Sequence, residues 1–599
     1  MLATATIHTP YIRYLAIMPE IVMFGGAVLL LAVASLVRRP LRVSVATAGT
    51  VVISLTALGF ALWQWADVSS HGPFTAVDGA VAVDGFSVLV AMLVPCAMAL
   101  SALVADGYLR REGVEGAEFH VLALISASGA MLMGSANDLI VVFLGLEILS
   151  IALYVLTAFN HRRAASGEAA LKYFVLGGFS SAIFVYGIAL IYGATGSTNL
   201  VQIADFLSKS VVTSDGLLLA GITLLLVGFA FKIAAVPFHM WTPDVYQGAP
   251  SPVTGFMAAV AKVGAFAALL RVFISSFGVL RADWQPVVYA LALLTLLLGA
   301  ALAVVQRDVK RMLAYSSINH AGFILLGVEA ATVKGVSASL YYLFAYTFMV
   351  IGTFAIVTVL GRSGDTTHDI STYRGLARRQ PLLALALAVL LLAQAGAPFT
   401  TGLWAKLQVV LASVDANSVP LAVVAMVSAA IAAFFYLRVA VLMYTPPPLA
   451  DAVPGAEPDA EDPLPLPSGG VGAADLSGSF GPPSVVVGPA PIVHETAPVW
   501  TGSEMAVATV EHLNAALLLD TEGTEAATDG AVAARPVSAP PAAAIEAESA
   551  DRTDDAERVP VPPLTALAIG LCVAVTVVFG IFPAPLIDLA HQATLLFVP

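Results

Sequence analysis

The feature that most constrains this chain of 599 residues is a series of apolar runs, each about twenty residues long, that recurs along most of its length. A helix needs a run of about this length to cross a bilayer once. Because the bilayer core offers no water to bare peptide groups, spanning segments must be helices or a closed barrel, and runs without alternation favour helices. Only 11% of the residues are charged and 59% are hydrophobic. The sequence therefore predicts an all-α polytopic membrane protein.

Polar breaks divide the apolar runs into about 14 predicted transmembrane helices. The first run has no basic leader and no small-residue cleavage site, so we expect a retained span rather than a signal peptide. The seventh and twelfth spans are about thirty residues long and contain Pro237 and Pro398, so both are predicted to be discontinuous. The predicted spans begin near Ala16, Val43, Phe86, Phe119, Asp138, Ala169, Leu217, Ser251, Asp283, Met312, Gly335, Pro381, Val419 and Pro563.

The two long spans share features that indicate an internal repeat. Each carries the dipeptide Pro-Phe, at 237–238 and 398–399, and each carries a lysine, Lys232 or Lys406. The two spans lie five apart, and an odd number of spans per repeat inverts the second copy. The predicted organisation is three N-terminal helices (1–118), a first five-helix repeat (119–275), an inverted second repeat (283–444) and a C-terminal helix (563–599).

The distribution of basic residues predicts the orientation. With the N-terminus outside, fourteen basic residues fall on the cytoplasmic side and four on the other, as the positive-inside rule expects. Both termini are therefore predicted to lie outside. The cytoplasmic set is Arg38, Arg39, Arg42, Arg110, Arg111, Arg162, Arg163, Arg307, Lys310, Arg311, Arg362, Arg374, Arg378 and Arg379; the opposite set is Arg13, Lys209, Arg281 and Lys334.

One long segment, 445–562, breaks the apolar pattern. It is rich in Pro, Ala, Gly and acids, and it is predicted to be a disordered cytoplasmic loop. Nineteen acids and three arginines lie between Asp451 and Arg558, so the formal net charge of -13 reflects this loop. Within it, 504–519 either forms one amphipathic helix that docks a partner or forms no persistent structure.

The chemistry of the spans rests on a few buried charges. Three of the seven lysines, Lys232, Lys262 and Lys406, lie in apolar spans, and Glu147 lies about nine residues into another. A charge at the bilayer centre costs at least ~2.5 kcal/mol to insert, so such residues face a wet interior and mark ion pathways. Desolvation favours a neutral amine and a nearby carboxylate favours the ammonium, so these residues can form a proton relay. A static pair in packed helices is the alternative.

Three further residues are accessory candidates. Lys172 either pairs with Glu147 or extends to the headgroups. His239 lies just after the break at Pro237, where it could titrate near neutral pH. His320 lies in mid-span, where it either titrates or is held by packing beside Asn319.

Several function classes lack their motifs. Two cysteines cannot build a disulfide framework, a four-cysteine iron-sulfur site or a redox pair. No GK dipeptide supports a P-loop, and the only His-Glu pair lacks the second histidine of a zinc-protease motif. No basic surface with interleaved aromatics indicates nucleic acid. No cofactor or metal is expected on this chain.

The stretch KIAAVPFHMWTPDVYQGAPSPVTGFMAAVAKVGAF, at 232–266, resembles the signature of the subunit N family of bacterial respiratory complex I, the proton-translocating NADH-quinone oxidoreductase. The resemblance extends from the first span to about Tyr444 and resumes at the last span, so the 445–562 insertion is a departure. It implies an antiporter-like subunit with inverted repeats of spans four to eight and nine to thirteen. The family's essential glutamate corresponds to Glu147, its lysines of helices seven, eight and twelve to Lys232, Lys262 and Lys406, and its accessory positions to Lys172 and His239.

The resemblance also implies partners and a location. The complex uses NADH, FMN, iron-sulfur clusters and quinone on other chains, and this chain would translocate protons beside sister antiporter-like subunits and small membrane subunits in the lipid bilayer. The expected location is the bacterial inner (plasma) membrane. Two other hypotheses stay open: a subunit of a cation/proton antiporter without a redox partner, and a noncatalytic scaffold. The wording TPDVYQGAP favours the complex I subunit over the antiporter.

Overall fold

The computed structural model describes residues 12–38, 41–114, 116–209, 215–366, 368–446, 559–593 and 595. Most of the predicted loop at 445–562 lies outside these residues, including the candidate helix at 504–519.

Helices dominate the N-terminal half. After a 3-10 turn, α1 and α2 form a hairpin, and a two-stranded antiparallel ribbon precedes α3. Asp84 caps α3, since its side chain accepts the Ser87 amide and its own amide donates to the Ser87 hydroxyl. The elements are α1 (Met18–Leu36), α2 (Arg42–His71), β1 (Phe74–Ala76), β2 (Val81–Val83), α3 (Gly85–Glu112), α4 (Glu118–Ser135), α5 (Leu139–Thr157), α6 (Ala164–Thr195), α7 (Leu200–Lys209) and α8 (Asp215–Lys232).

The second half continues the pattern, with two π-helical turns at 257–261 and 271–276 in the segment that follows α9. Asp308 and Thr332 cap α13 and α14 through their side chains. The elements are α9 (Trp241–Gly248), α10 (Ser251–Phe256), α11 (Lys262–Leu270), α12 (Arg281–Val304), α13 (Val309–Ala330), α14 (Val333–Leu360), α15 (Leu376–Arg379), α16 (Pro381–Ala395), α17 (Thr401–Asp415), α18 (Val419–Tyr444), α19 (Pro563–Ile581) and α20 (Ala584–Gln592).

Eleven helices in the described residues are long and apolar enough to cross a membrane. The segment Ser251–Ser276, which contains α10 and α11, is wholly buried, whereas α1, α2 and α6 expose much of their apolar surface. Exposed apolar faces suit lipid contact, and an all-round buried helix suits the centre of a bundle. The prediction of an all-α, multi-pass membrane protein is confirmed; the exact number of 14 crossings and the inverted repeats stay predictions.

Two nonhelical segments interrupt the bundle at the predicted prolines. Helix α8 ends at Lys232 and α9 begins at Trp241, so Pro237 lies between two helices. Helix α16 ends at Ala395 and α17 begins at Thr401, with Pro398 between them. The positive φ of 96° at Gly396 closes α16 in a conformation that suits glycine.

Candidate functional site

Lys232 is the last residue of α8, and only 6% of it is exposed. Its Nζ donates to the Ser150 hydroxyl at 2.7 Å and to the Tyr173 hydroxyl at 3.1 Å, and it lies 5.2 Å from the centre of the Tyr173 ring. The C-terminal end of a helix carries partial negative charge, which favours a cation. The ammonium is therefore held by hydroxyls, an aromatic face and a helix end.

Glu147 lies on α5, one turn before Ser150, and is half-buried. Its carboxylate accepts a hydrogen bond from the Ser181 hydroxyl of α6. It forms no ion pair with any described lysine. Residues three apart share a helix face, so Glu147 and the Lys232 partner Ser150 lie on the same side of α5. The Glu147 carboxylate and the Lys232 ammonium therefore lie on the same side of α5, but no salt bridge joins them.

Lys262 begins α11, directly after the first π-helical turn, and is 4% exposed. Its Nζ donates to the Ser317 backbone carbonyl and, at 2.6 Å, to the Ser317 hydroxyl on α13. The same hydroxyl accepts from Tyr346 at 2.8 Å and lies 3.3 Å from the Tyr246 hydroxyl. The amine thus joins a cluster of three hydroxyls.

His320 lies one turn after Ser317 on α13 and is 1% exposed. Its Nδ1 is 2.7 Å from the Tyr342 hydroxyl and its Nε2 is 3.0 Å from the Tyr436 hydroxyl. Tyr436 in turn reaches the side-chain carbonyl of Gln394 at 3.4 Å. The imidazole is bonded on both sides by tyrosines, and the neighbouring Asn319 bonds elsewhere, to α12 and α18.

Lys406 lies in α17 and is 6% exposed. Its Nζ donates at 2.8 Å to the carbonyl of Ala395, the last residue of α16, and lies 4.9 Å from the centre of the Phe323 ring. A Cβ on Gly396 would meet the Lys406 side chain at 3.1 Å. A buried lysine therefore accompanies each interrupted segment: Lys232 is the last residue of α8, and the Lys406 amine binds the last carbonyl of α16.

Lys172 lies at the surface of the same region. It forms ion pairs with Glu168 at 2.7 Å and with Asp244 at 3.0 Å, and 43% of its side chain is exposed. Asp244 also pairs with Arg311 at 2.8 Å. Of the two roles predicted for Lys172, the structure favours the outward one, since its partners are these carboxylates and not Glu147.

His239 lies in the nonhelical segment after Pro237 and is half-buried. Its Nδ1 is buried and has no hydrogen-bond partner among the described residues. His239 lies in the nonhelical segment between α8 and α9, and no hydrogen bond joins it to Lys232. Its role stays a prediction.

A buried ion pair was not predicted. Arg271 is 2% exposed and donates two parallel hydrogen bonds to the Asp84 carboxylate at 2.8 and 2.9 Å, and a third to the Gly134 carbonyl at 2.9 Å. This fork geometry matches a carboxylate. The pair links the start of α3 to the segment after α11.

A second unpredicted cluster surrounds Asp365, in the loop after α14. The carboxylate is fully buried and accepts from the Ser251 amide and hydroxyl, from Arg163 at 3.1 Å and from His368 at 2.9 Å. The sequence places Lys310 among loop residues, but its side chain is also fully buried, 3.5 Å from this carboxylate. Burial alone would raise the pKa of Asp365, but the charge of Lys310 and the hydrogen bonds from its neighbours hold that pKa well below its usual range.

A cavity of about 420 Å³ lies beside this cluster. Its charged lining joins the Asp365 cluster to the ion pairs of Lys172 and Asp244. Lys172 precedes Tyr173, whose ring stacks on Trp241 at 4.6 Å and whose hydroxyl contacts Lys232. One residue that lines the polar cavity, Lys172, is therefore adjacent in sequence to Tyr173, the partner of Lys232. Its charged and amide-bearing lining residues are Arg163, Glu168, Lys172, Asp244, Gln247, Asp308, Arg311, Asp365 and His368.

No group of three or more His, Cys, Asp or Glu residues that could hold a metal ion occurs in the described ranges. The functional chemistry visible there is that of amines, one carboxylate, one imidazole and hydroxyls. Such groups exchange protons.

Comparisons with known proteins identify the family of the chain. The family model described as "NADH:quinone oxidoreductase/Mrp antiporter, TM" matches residues 136–432, a range that includes all four predicted relay residues. An NADH-quinone oxidoreductase subunit N from Trichlorobacter lovleyi is 41% identical over 432 residues, which cover 72% of this chain and 87% of the relative.

Solved structures give the same result. A chain of respiratory complex I from Thermus thermophilus with bound Aureothin is 34% identical, with a TM-score of 0.61 over 71% of this chain and 90% of that one. A chain of the Mrp complex from Dietzia sp. shares the fold at 21% identity, with a TM-score of 0.69 over 97% and 96% of the two chains. With its buried lysines inside the matched range and the subunit N relative covered over most of its length, the chain belongs to the NADH-quinone oxidoreductase subunit N family of antiporter-like membrane proteins.

Proposed function

We propose that this chain is a proton-translocating membrane subunit of an NADH-quinone oxidoreductase and that Glu147, Lys232, Lys262 and Lys406 carry its protons. The subunit N relatives and the complex I neighbour support the assignment to that complex. Electron transfer from NADH to quinone, with its FMN and iron-sulfur clusters, belongs in this proposal to partner subunits. This chain moves protons in response.

The observation that carries the proposal is the kind of partner that each buried lysine has. Lys232, Lys262 and Lys406 contact hydroxyls, carbonyls and aromatic faces, and none of them is locked to a carboxylate. A hydroxyl accepts from an ammonium and, after rotation, donates to a neutral amine. The Lys232 and Lys262 sites can therefore bond their lysines in both protonation states, as a relay requires.

Short polar steps connect the second half of the relay. Lys262 bonds Ser317, and His320 follows one turn later on α13. His320 bonds Tyr436, which reaches Gln394. Gln394 precedes Ala395, whose carbonyl binds Lys406. The steps from Ser317 to His320 and from Gln394 to Lys406 have no hydrogen bond between the described side chains, and we propose that water bridges them.

The first half has a gap between Lys232 and Lys262. The described side chains form no continuous hydrogen-bonded chain there, and we propose that ordered water bridges it. The cavity beside Lys172 and Asp244 is the proposed access from the aqueous phase to Lys232. In the predicted orientation this cavity opens to the cytoplasm and both termini face out.

One substitution pair tests the connection through His320. Tyr436→Phe removes the hydroxyl that joins His320 to Gln394, whereas Tyr341→Phe removes a buried hydroxyl without a partner among the described residues. We expect Tyr436→Phe to reduce the number of protons transported per NADH oxidised, because loss of a proton-transfer group typically slows its step by about 10²–10⁴-fold. Tyr341→Phe should leave that number unchanged. Equal transport in both variants would remove His320 from the relay.

A second candidate is a subunit of a cation/proton antiporter without a redox partner. The family model's description names the Mrp antiporter beside the oxidoreductase, and the Dietzia chain shares the fold. Purification of the membrane complex through a tag on this chain separates the two. We expect flavin and iron-sulfur proteins to copurify with NADH-quinone activity. A complex that exchanges sodium for protons and lacks that activity would support the antiporter instead.

A further inference from the structure

The ends of three helices meet around a second cavity, of about 550 Å³, far in sequence from the relay residues. Its walls come from the last turn of α3, the last turn of α14 with the residues that follow it, and the start of α19. All three positions are helix ends, where a spanning helix leaves the apolar layer. The cavity therefore lies at the level of lipid headgroups in any orientation that embeds these helices.

The lining combines two guanidinium groups with apolar walls. Arg111 and Arg362 are its only charged described residues, and Tyr108, Val359 and Pro562 are among its apolar ones. No acid lines it. This composition is that of a site for an anion that carries hydrocarbon, because basic pockets between membrane helices recognise phospholipid headgroups.

The hydrogen bonds of Arg111 leave part of its guanidinium unused. Nε donates to Glu112 at 3.1 Å and Nη1 to the Thr358 carbonyl at 2.8 Å, while the carbon of the guanidinium lies 5.5 Å from the centre of the Tyr108 ring. Nη2 is buried and has no partner among the described residues. A buried guanidinium nitrogen without an acceptor is costly. An anion in the cavity would supply one after a small side-chain movement.

The second arginine adds charge at the mouth. Arg362 is exposed and forms no ion pair with a described residue, and Ser363 beside it is exposed as well. Glu112, the nearest acid, is already compensated by Arg111 and by the Gly364 amide at 3.0 Å. The net charge that the cavity presents is positive.

An apolar surface continues from the cavity along α19. Leu567 and Leu571 follow the lining residue Pro563 at intervals of four, so the three share one helix face. The two leucines are 52% and 45% exposed. A free phosphate would not contact these leucines, whereas an acyl chain would cover them.

We propose that this cavity binds the headgroup of an anionic phospholipid, with the phosphodiester at Arg111 and Arg362 and an acyl chain along Leu567 and Leu571. The volume falls within the range of small-molecule sites. The bound lipid would tie the end of α3 to α14 and α19.

A photoactivatable phosphatidylglycerol tests the site in the purified, delipidated complex. Crosslinks should map to residues 107–112, 358–363 and 559–565. Unlabelled phosphatidylglycerol should compete, whereas phosphatidylcholine and inorganic phosphate at the same concentration should not. Competition by inorganic phosphate would show a free-anion site, and no crosslink at these positions would exclude a lipid; either result overturns the proposal.

Substitutions give the second arm. The double variant Arg111→Gln/Arg362→Gln should weaken competition by phosphatidylglycerol roughly thirtyfold, which is the combined usual contribution of two basic residues to anionic lipid binding. Ser363→Glu keeps both arginines and adds repulsion at an exposed position, so it should also reduce labelling without disturbing the fold. Arg307→Gln is the matched control, an exposed arginine that does not line the cavity. Equal labelling in all variants would contradict the assignment.

Discussion

The buried carboxylate of Asp365 should control how firmly the start of α10 is held. The substitution Asp365→Asn keeps the shape and removes the charge. The amide oxygen of the asparagine can still accept from the Ser251 hydroxyl, but its amide nitrogen must then face the donors Lys310 and Arg163. Donors would oppose donors, and the fully buried Lys310 ammonium would lose its only carboxylate partner among the described residues.

The expected magnitude follows from that burial. Both Asp365 and Lys310 are 0% exposed in their side chains. Removal of one partner of a buried pair typically costs about 3–5 kcal/mol, because the other charge stays buried without compensation. If this cost falls on local opening of the loop, amides in the region should exchange with solvent roughly 10² to 5 × 10³ times faster.

Hydrogen exchange of the intact complex measures this effect. The Ser251 amide donates to Asp365 at 3.0 Å and reports directly on the contact. Asp365→Asn should speed its exchange, and Lys310→Met added to that variant should restore much of the protection, since the fully buried ammonium is then removed. Asp369→Asn, an exposed acid of the same loop, is the control. Unchanged exchange in Asp365→Asn, or purely additive effects in the double variant, would refute the reasoning.

The same carboxylate fixes the sign of a pH dependence. Because the folded-state pKa of Asp365 lies below its usual value, its contribution to stability is fully present above that usual value, near 3.8. It is lost only as pH falls further, through the folded-state pKa. Protection of Ser251, corrected for intrinsic exchange, should therefore be constant between about pH 7 and 5. Loss of protection in that window would contradict the low pKa.

Three further predictions concern the rest of the bundle. Lys172→Ala should lower proton transport in proteoliposomes less than loss of a buried lysine does, because Lys172 is exposed and its ion pairs with Glu168 and Asp244 are screened by solvent; an equal loss would make it a relay member. Arg271→Met removes the buried guanidinium that pairs with Asp84, so it should destabilise the chain by about 3–5 kcal/mol and lower its amount in membranes, with recovery when Asp84→Asn is added; unchanged amounts would argue against the pair. Deletion of 451–558 should spare transport in assembled complexes, and its loss there would assign the segment a regulatory role.

The sequence was sufficient for the features that depend on local pattern. Apolar runs predict helices, and Pro237 and Pro398 lie where the structure has nonhelical segments. The cost of a charge in lipid selected Lys232, Lys262 and Lys406, and all three are buried. Each of these inferences needs only one stretch of chain and one physical rule.

The partners of those residues could not be predicted. Glu147 was expected to need a cation, but its hydrogen-bond donor is Ser181, on another helix. Asp84 and Arg271 are 187 positions apart, and Asp365 joins three distant segments. Such pairs depend on how the helices pack, and a single sequence carries no direct signal for that packing. Short runs of charged residues at the loop ends give only a weak signal that some of these charged side chains are buried.

Buried amines and one carboxylate are proposed to carry protons through this chain. The most direct test is the number of protons pumped per NADH oxidised by purified complexes in proteoliposomes, for Lys232→Ala and Glu147→Ala beside the exposed control Lys334→Ala. We expect assembled complexes with strongly reduced pumping in the first two variants and normal pumping in the third. Normal pumping in both Lys232→Ala and Glu147→Ala would contradict this proposal.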